Sequence, residues 1–345
     1  MKNLKDYTQK ELKLIMAEIG EKPFRAKQLF EWIHDKQVNN ISNITVFSKK
    51  TIDALERHEY GLDNLEIIKR FDSKDKHTSK YLFKLVDGHA IESVLMKYKH
   101  GYSACLSTQV GCRMGCEFCA STKNGLVRNL KASEILDQVY QIEKDFSIKI
   151  SNIVLMGTGE PLDNFDEVIK FFELIHSENG KNLGYRHITL STCGIVPKIY
   201  DLADYLFPIT LSISLHSPYD EERKKIMPVA NKYTISEIIE ACKYYFEKTG
   251  RRITFEYTLI QDINDGDKEA KALANLLKGL NAHVNLIPLN EIKESSMKTS
   301  TGKNVKNFQN KLERYGLNAT VRREMGLDIN AACGQLRKDY MEQSM

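Results

Sequence analysis

From residue 103 onward, apolar segments of strand length alternate with amphipathic segments of helical length, and this alternation constrains the fold more than any other feature. Repeated β-α units place their strands in parallel, joined by right-handed crossovers. The six units therefore predict an α/β protein with an open, partial TIM-like (β/α)6 barrel, in which ligands bind at the carboxyl ends of the strands. The predicted strands are Ser103–Gln109, Asn152–Met156, His187–Leu190, Ile209–Leu215, Ile253–Leu259 and His283–Ile287. The predicted helices are Ala132–Lys144, Phe165–His176, Pro197–Leu206, Ile235–Lys248, Asp267–Leu277 and Val305–Tyr315.

Residues 1–64 have helical periodicity, with helices predicted over Gln9–Gly20, Phe24–Lys36 and Lys49–Tyr60. Residues 65–102 contain two β-rich segments, Lys80–Val86 and His89–Met96, whose Asp87-Gly88 connection is a strong hairpin signal. We therefore expect a small helical N-terminal domain, a β-hairpin extension and a catalytic barrel over residues 103–345. Basic and aromatic residues are interleaved in the first domain, which suits either an RNA backbone or an ordinary solvated helical face.

The chain has 345 residues, a net charge of +4 and seven cysteines. The small positive charge favours an anionic partner only weakly. No apolar run approaches the roughly 18 residues that span a membrane, and the polar N-terminus lacks the apolar core of a signal peptide. An odd number of cysteines without a secretory signal fits the reducing cytosol, so we expect a cytoplasmic protein with no membrane association.

Three cysteines, Cys112, Cys116 and Cys119, lie at spacings of four and three residues in the segment G-C-R-M-G-C-E-F-C. Cysteine thiolates hold iron–sulfur clusters, and three on one short loop can bind three irons of a cubane. With no fourth cysteine nearby, one iron would stay open for a small molecule. A zinc site is a poorer match because zinc usually takes four ligands in two close pairs. A disulfide framework is unusual in a chain of this size without a secretory signal.

Short polar motifs follow several predicted strands, where a barrel binds its ligands. The segment Gly157–Pro161, G-T-G-E-P, follows the second strand; its glycines permit close approach to a ligand, and Glu160 can accept hydrogen bonds from an ammonium group. Ser191 ends the third strand and can hold a carboxylate or a ribose. Ser214-Leu215-His216 ends the fourth strand, and Asn290 follows the sixth. Alone, these motifs are also compatible with ordinary turns and structural hydrogen bonds.

The segment G-L-D-I-N-A-A-C-G-Q-L, residues 326–336, places Cys333 among small residues near the end of the chain. Such a cysteine suits an accessible nucleophile on a mobile loop. A buried, inert cysteine is the alternative, and the segment taken by itself favours that alternative.

Together, five motifs resemble the RlmN-type radical S-adenosylmethionine (SAM) methyltransferases over nearly the whole chain: G-C-R-M-G-C-E-F-C-A-S, M-G-T-G-E-P, S-L-H-S-P, N-L-I-P-L-N and D-I-N-A-A-C-G-Q-L. The resemblance implies methylation of C2 of one adenine in 23S ribosomal RNA and, in many members, of an adenine in the tRNA anticodon loop. The related Cfr family methylates C8 of the same ribosomal adenine. It usually has Q-C-G-C where this chain has residues 109–112 and G-E-A where it has Glu160-Pro161, although S-L-H-S-P and M-K-Y-K at residues 96–99 are Cfr-like. Asn330 and Cys193 stand where the RlmN-type family commonly has aspartate and serine.

The resemblance also implies residue roles. One [4Fe-4S] cluster would be held by Cys112, Cys116 and Cys119, and two SAM molecules would be used per turnover. SAM contacts would come from Gly159, Glu160, Ser191, Ser214, Leu215, His216 and Asn290. Cys333 would carry the methyl group and add it to the base, Glu92 would accept a proton, and Cys105 would release the product through a transient disulfide bond with Cys333. A flavodoxin or ferredoxin would supply the electron, and we expect a monomer.

Basic residues near the predicted active face are candidate phosphate contacts, although each can equally be a solvated charge. These residues are Lys123, Arg128, Lys131, Arg322, Arg323 and Lys338. Two other functional classes stay open: a radical-SAM enzyme with a small-molecule or protein substrate, and a non-catalytic metal-binding or RNA-binding module. The first of these explains the cysteine loop but leaves the pair Cys105 and Cys333 without a task.

Overall fold

The computed structural model describes residues 1–293, 295–323 and 325–336. Its strands are β1 Lys2–Asn3, β2 Tyr60–Gly61, β3 Glu66–Asp72, β4 Thr78–Lys84, β5 Ala90–Tyr98, β6 Gly101–Cys105, β7 Gln109–Gly111, β8 Leu126–Asn129, β9 Ile150–Leu155, β10 Ile188–Thr192, β11 Thr210–Ser214, β12 Ile253–Leu259, β13 Ala282–Pro288 and β14 Ala319–Val321. Its helices are α1 Gln9–Glu18, α2 Arg25–His34, α3 Lys49–Arg57, α4 Ala132–Phe146, α5 Phe165–His176, α6 Val196–Asp204, α7 Asp220–Ile226, α8 Ile235–Thr249, α9 Asp267–Leu276 and α10 Gly302–Arg314.

One ten-stranded sheet organises the chain, in the order β14-β13-β12-β11-β10-β9-β6-β5-β4-β3. From β6 through β9 to β14 the neighbouring strands are parallel, and α4 to α10 lie in the connections between them. This arrangement confirms the predicted α/β fold. Strand β14 adds a parallel strand that the sequence did not reveal, because a segment of three residues, two of them exposed, is too short to carry a periodic pattern.

The predicted hairpin is present, with β4 and β5 paired antiparallel on either side of Asp87-Gly88. Gly88 has φ +87°, a conformation that glycine adopts at no steric cost. Strand β5 also pairs antiparallel with β6, which in turn pairs parallel with β9. The hairpin extension and the barrel therefore share one continuous sheet.

The predicted strand Ser103–Gln109 is divided in two, and the division sets the direction of the cysteine loop. Strand β6 ends at Cys105, and the chain then turns away so that β7 pairs with β8 in a separate two-stranded sheet. The buried hydroxyl of Ser107 donates to the Glu92 carbonyl at 2.6 Å, which fixes the turn. At its end, Gly111 has φ +76°, and a Cβ there would lie 2.0 Å from the Gly125 carbonyl oxygen. Only glycine fits this position, immediately before Cys112.

The N-terminal helices pack directly on the barrel, and one apolar core runs through both. Helix α4 forms polar contacts between the N-terminal region and the barrel: Asp137 pairs with the buried Lys5 at 2.5 Å and accepts a hydrogen bond from the Leu65 N–H at 2.6 Å. On the same helix, Tyr140 hydrogen-bonds His34 of α2 at 3.0 Å. Burial lowers the pKa of His34 to about 3, so this histidine is neutral at pH 7. In the described part of the chain, no helix is long and apolar enough to cross a membrane.

Candidate active site at the mouth of the barrel

The three cysteines of the loop between β7 and β8 line one cavity at the carboxyl ends of the parallel strands. All three thiols are free of disulfide bonds. Burial raises the pKa of Cys112 to about 12 and that of Cys116 well above its usual value, and neighbouring thiols add to both effects. Thiols in such surroundings ionise only when a positive partner compensates the charge, as a metal centre does.

The three thiols can be compared with the ligands that a metal centre requires. Among the described residues, no three histidine, cysteine or acidic side chains converge closely enough to hold a single metal ion. Three thiols spread around one cavity instead match a cubane cluster, in which each thiolate binds a different iron. The donor set therefore fits a [4Fe-4S] cluster with three protein ligands.

The G-T-G-E-P segment after β9 forms one wall of this cavity, and its glycines are sterically required. A Cβ on Gly157 would lie 2.6 Å from the Leu106 carbonyl group, and one on Gly159 would lie 2.6 Å from the Gln109 side chain. Glu160 is buried, which raises the pKa of its carboxyl group. Its two oxygens accept from the backbone N–H groups of Cys193 at 2.8 Å and Leu162 at 3.0 Å. The side chains of Thr192 and Cys193 also donate hydrogen bonds to this carboxylate.

The other predicted SAM contacts gather around the same cavity, with one exception. Ser191, Ser214, His216 and Asn290 line it, whereas the Leu215 side chain is fully buried elsewhere in the core. His216 accepts a hydrogen bond at Nδ1 from the Thr258 N–H at 2.9 Å. Burial lowers its pKa to about 3, so it contributes a neutral ring to the wall rather than a charge.

Cys333 lies where two cavities meet. It lines the cavity of the three thiols and also an adjoining cavity that contains Cys105 and Tyr98. Burial raises the pKa of Cys105 to about 12, while the nearby Arg322 guanidinium lowers it. The structure thus brings the two predicted catalytic cysteines to one cavity. Both are reduced, so the expected disulfide bond is not a standing feature of the chain.

The segment that carries Cys333 is docked on the cysteine loop by several hydrogen bonds. The Ala120 N–H donates to the Gly334 carbonyl at 2.8 Å, and the Ser121 hydroxyl donates to the Leu336 carbonyl at 3.0 Å. The Asn290 amide donates to the carbonyl of Cys333 itself at 3.0 Å. These contacts hold the Cys333 segment against the loop of the three thiols.

Glu92 does not line either of these two cavities. It lies on β5, where its carboxylate forms a buried ion pair with Lys80 at 2.9 Å, and it borders a small cavity beneath Ala120 and Ser121. Lys80 also donates to the Asn330 carbonyl at 3.3 Å. The predicted proton acceptor is therefore connected to the Cys333 segment through Lys80 rather than placed beside the sulfur.

The candidate phosphate contacts have varied surroundings. Arg322 lines both cavities, and Arg323 lines the cavity of Cys105. Arg128 is committed to ion pairs with Asp87 at 2.6 Å and Glu134 at 2.7 Å. The remaining lysines are Lys123, which pairs with Glu117 at 3.5 Å, Lys131, whose backbone N–H donates to Glu134, and Lys338, which lies outside the described residues.

Two residues that line the cavities carried no usable sequence signal. Met156 follows β9 directly, and its sulfur lies 3.7 Å from an Arg322 nitrogen. Glu256 sits in the middle of the apolar strand β12, where it accepts hydrogen bonds from Ser212 and Asn285, each at 2.7 Å. A single acidic residue within such a strand was the only hint, since buried acids are rare unless they are paired.

Comparisons with known proteins agree with this geometry. Residues 106–274 match the family model of the radical SAM superfamily, and residues 2–60 match that of the ribosomal RNA large subunit methyltransferase N-terminal domain. A probable dual-specificity RNA methyltransferase RlmN from Clostridium perfringens is 57% identical over 99% of this chain and 98% of its own. One from Lachnoclostridium phytofermentans is 55% identical over 99% and 96%, respectively. The crystal structure of a radical SAM methyltransferase from Sphaerobacter thermophilus is 40% identical and superposes with a TM-score of 0.93 over 98% of this chain and 100% of its own.

Matches of this level cover essentially the full length of both chains, so the matched region includes the cysteine loop, the motifs after the strands and the N-terminal helices. Membership of the radical SAM superfamily implies a [4Fe-4S] cluster and SAM, in agreement with the donor set of the three thiols. The chain belongs to the RlmN family of radical SAM methyltransferases.

Proposed function

We propose that this protein methylates C2 of an adenine in 23S ribosomal RNA and of an adenine in tRNA, through a methyl group carried on Cys333. The observation that carries the proposal is the position of Cys333 between two cavities, one lined by the three thiols and the SAM-type motifs and the other by Cys105. A sulfur atom at that junction can take a methyl group from SAM in the first cavity and deliver it to a base in the second. The names of the full-length relatives, which describe dual-specificity RNA methyltransferases, support the substrate class.

The chemistry of the base explains why a carrier is needed. C2 of adenine is electrophilic, so it cannot attack the methyl group of SAM as an ordinary nucleophile does. Cys333 instead takes a methyl group from a first SAM by displacement, which requires the thiolate form. The cluster with a second SAM, when bound, supplies a 5′-deoxyadenosyl radical. The carbon held on Cys333 then gives a hydrogen atom to that radical and adds to C2, which produces a covalent adduct of protein and RNA with one unpaired electron. Loss of the C2 proton and return of that electron to the cluster, when bound, would leave a closed-shell thioether.

The same cavity supplies a means of release. Cys105 attacks the sulfur of Cys333 as a thiolate, and a transient disulfide forms between the two cysteines. The bond from that sulfur to the transferred carbon breaks, its electron pair stays on the carbon, and the carbon takes up a proton to complete the methyl group. Arg322 supports this step, because its charge lowers the pKa of the otherwise protonated Cys105 thiol. Glu92 accepts the proton from C2. For this step its carboxylate must leave the ion pair with Lys80 and approach the base.

The cavity beside Cys105 suits the target base. Its apolar lining includes Met96, Tyr98 and Met325, which offer a surface for a flat aromatic ring. Arg322 and Arg323 lie at the same cavity and can meet the phosphates on either side of a nucleotide that has left its stack. We also propose that the basic residues of the N-terminal helices contact the flanking RNA backbone.

We further propose that the protein acts as a monomer in the cytosol and takes its electron from a flavodoxin or ferredoxin.

Lys80→Met tests the connection between Glu92 and the Cys333 segment. Removing one partner of a buried ion pair typically costs about 3–5 kcal/mol, so we expect a loss of that order in the free energy of unfolding. We also expect slower methylation with more unresolved adduct, because both Glu92 and the Asn330 carbonyl lose a contact. Urea unfolding measures the first effect and denaturing gels the second.

Lys84→Met is the matched control, since Lys84 lies on the same strand and its ion pair among the described residues is an exposed one with Glu66 at 3.9 Å. Its unfolding free energy is expected to stay within about 0.5 kcal/mol of the wild-type value. Equal stability and equal adduct levels for Lys80→Met and Lys84→Met would contradict the proposed link.

The substrate assignment is tested with the anaerobically reconstituted protein, a reductant and SAM carrying a labelled methyl group. We expect label in both a 23S ribosomal RNA fragment and a tRNA, at a single adenine in each. Label in the ribosomal fragment alone would remove the second substrate from the proposal. Label in neither RNA, together with intact reductive SAM cleavage, would point to a non-RNA substrate instead.

A further inference from the structure

A fully buried arginine, Arg223, lies at the carboxyl ends of β10 and β11, the two strands that carry the predicted SAM contacts Ser191 and Ser214. Arg223 on α7 has no solvent exposure. Its Nε donates to the Leu215 carbonyl at 3.1 Å, and its Nη2 donates to the carbonyls of Cys193 at 2.6 Å and Ser214 at 3.2 Å. Its Nη1 is buried and has no hydrogen-bond partner among the described residues. One guanidinium group thus ties together the ends of β10 and β11 and still has an unused donor.

The charge of Arg223 is not neutralised by the polypeptide that the structure describes. All three of its acceptors are backbone carbonyls, and no described carboxylate lies within ion-pair distance of it. Asp220 acts on it only at longer range and is engaged by the Ile235 N–H at 2.8 Å. Buried arginines are almost always paired, because an isolated charge in the interior is costly. A counter-charge is therefore expected from a group that the described residues do not supply.

The position of α7 indicates that this counter-charge belongs to a group bound by the cysteine loop. The helix end docks on the cysteine loop, where the Glu117 N–H donates to the Ile226 carbonyl at 3.0 Å. Cys116 packs in one cluster with Cys193 and Ile226. Arg223 is joined to this cluster of side chains through its 2.6 Å hydrogen bond to the Cys193 carbonyl. An anionic group bound by Cys116 would lie in the field of this guanidinium.

We infer that Arg223 is the buried counter-cation of the iron–sulfur cluster and that its charge favours the reduced cluster. This inference rests on the cluster assignment made above. A [4Fe-4S] core in its resting state with three thiolates carries one net negative charge. Uptake of one electron from a low-potential donor adds a second negative charge, and no proton needs to be bound. A fixed cation in a site of low dielectric stabilises the more negative state more strongly, so it raises the reduction potential.

The test is a redox titration of the anaerobically reconstituted full-length protein, with the reduced cluster measured by electron paramagnetic resonance. Arg223→Gln is expected to lower the ratio of reduced to oxidised cluster at least tenfold at a given potential, a shift of about 59 mV for one electron. Arg223→Lys keeps the charge and is expected to titrate close to the wild-type potential. Arg251→Gln is the matched control, because Arg251 bonds Thr210 at the opposite end of β11 and is expected to leave the potential unchanged.

The outcomes separate charge from mechanical support. If Arg223→Gln binds a full complement of iron and titrates at the wild-type potential, or if Arg223→Lys shifts as far as Arg223→Gln, the inference is overturned and Arg223 is a structural brace. If Arg223→Gln and Arg223→Met cannot be loaded, normal loading of Arg223→Lys supports the charge requirement, and its failure overturns it. Failure of the wild-type protein to bind a cluster would instead overturn the proposed function.

Discussion

Replacing Cys333 with alanine is expected to abolish RNA methylation while leaving the cluster and the reductive cleavage of SAM intact. The three cluster thiols and the SAM-type motifs belong to other segments, and the Cys333 backbone keeps its hydrogen bond from Asn290 in the variant. What is lost is the sulfur that carries the methyl group. We expect methylation to fall by more than about 10³-fold, the scale on which removal of a covalent nucleophile acts. Labelled methyl incorporation into RNA and formation of 5′-deoxyadenosine are measured side by side.

Cys242→Ser is the control for this variant. Cys242 is buried in α8 and lines neither of the two cavities, so its replacement is expected to leave the turnover rate of the folded protein unchanged. Loss of activity in Cys242→Ser with normal folding would show that the chemistry has been assigned to the wrong cysteines. Methylated RNA from Cys333→Ala would exclude a methyl carrier at this position.

Cys105→Ala is expected to trap the protein on its RNA. With Cys333 present the carbon still bonds to the base, but the thiol that breaks the sulfur–carbon bond is missing from the shared cavity. Most of the RNA-bound protein should therefore accumulate as a covalent adduct rather than turn over. A denaturing gel should show a retarded protein band that disappears after ribonuclease treatment, with mass spectrometry locating the bond on Cys333.

The double variant Cys105→Ala, Cys333→Ala separates this adduct from non-specific crosslinking, because it lacks the sulfur to which the RNA would be attached. No retarded band is expected for it. Free Cys105→Ala protein after turnover, or an equally strong band from the double variant, would contradict the role of Cys105 in release.

The fold was predictable because strands and helices that bury one face have a periodic pattern of apolar residues in the sequence. Strand–helix alternation located six of the parallel strands, and the Asp87-Gly88 turn located the hairpin. Helix α7 was not predicted, since D-E-E-R-K-K-I has six charged residues and no apolar period. The split between β6 and β7 was also invisible, because it depends on the buried hydroxyl of Ser107 meeting a carbonyl of the distant Glu92.

The candidate site was predictable where its residues follow strands and much less so elsewhere. The cysteine loop and the G-T-G-E-P segment border one cavity as their positions at strand ends implied. Sequence patterns could not indicate that Glu92 pairs with Lys80, or that Arg223 would be buried behind β11 without an acidic partner in the described chain. These surroundings are formed by residues far apart in sequence. Sequence alone does not distinguish a buried charged residue from a solvent-exposed one.

We propose that the methyl group reaches C2 of adenine through a radical on the carbon bound to Cys333. Trideuterated SAM tests it most directly, with the nucleosides of the product RNA analysed by mass spectrometry over several turnovers. Transfer of a CD₃ group to Cys333, loss of one deuterium atom to the radical and a final hydrogen from protons predict 2-methyladenosine with two deuterium atoms. Retention of all three deuterium atoms would show direct transfer without the Cys333 radical, and 8-methyladenosine would place the reaction on the wrong carbon.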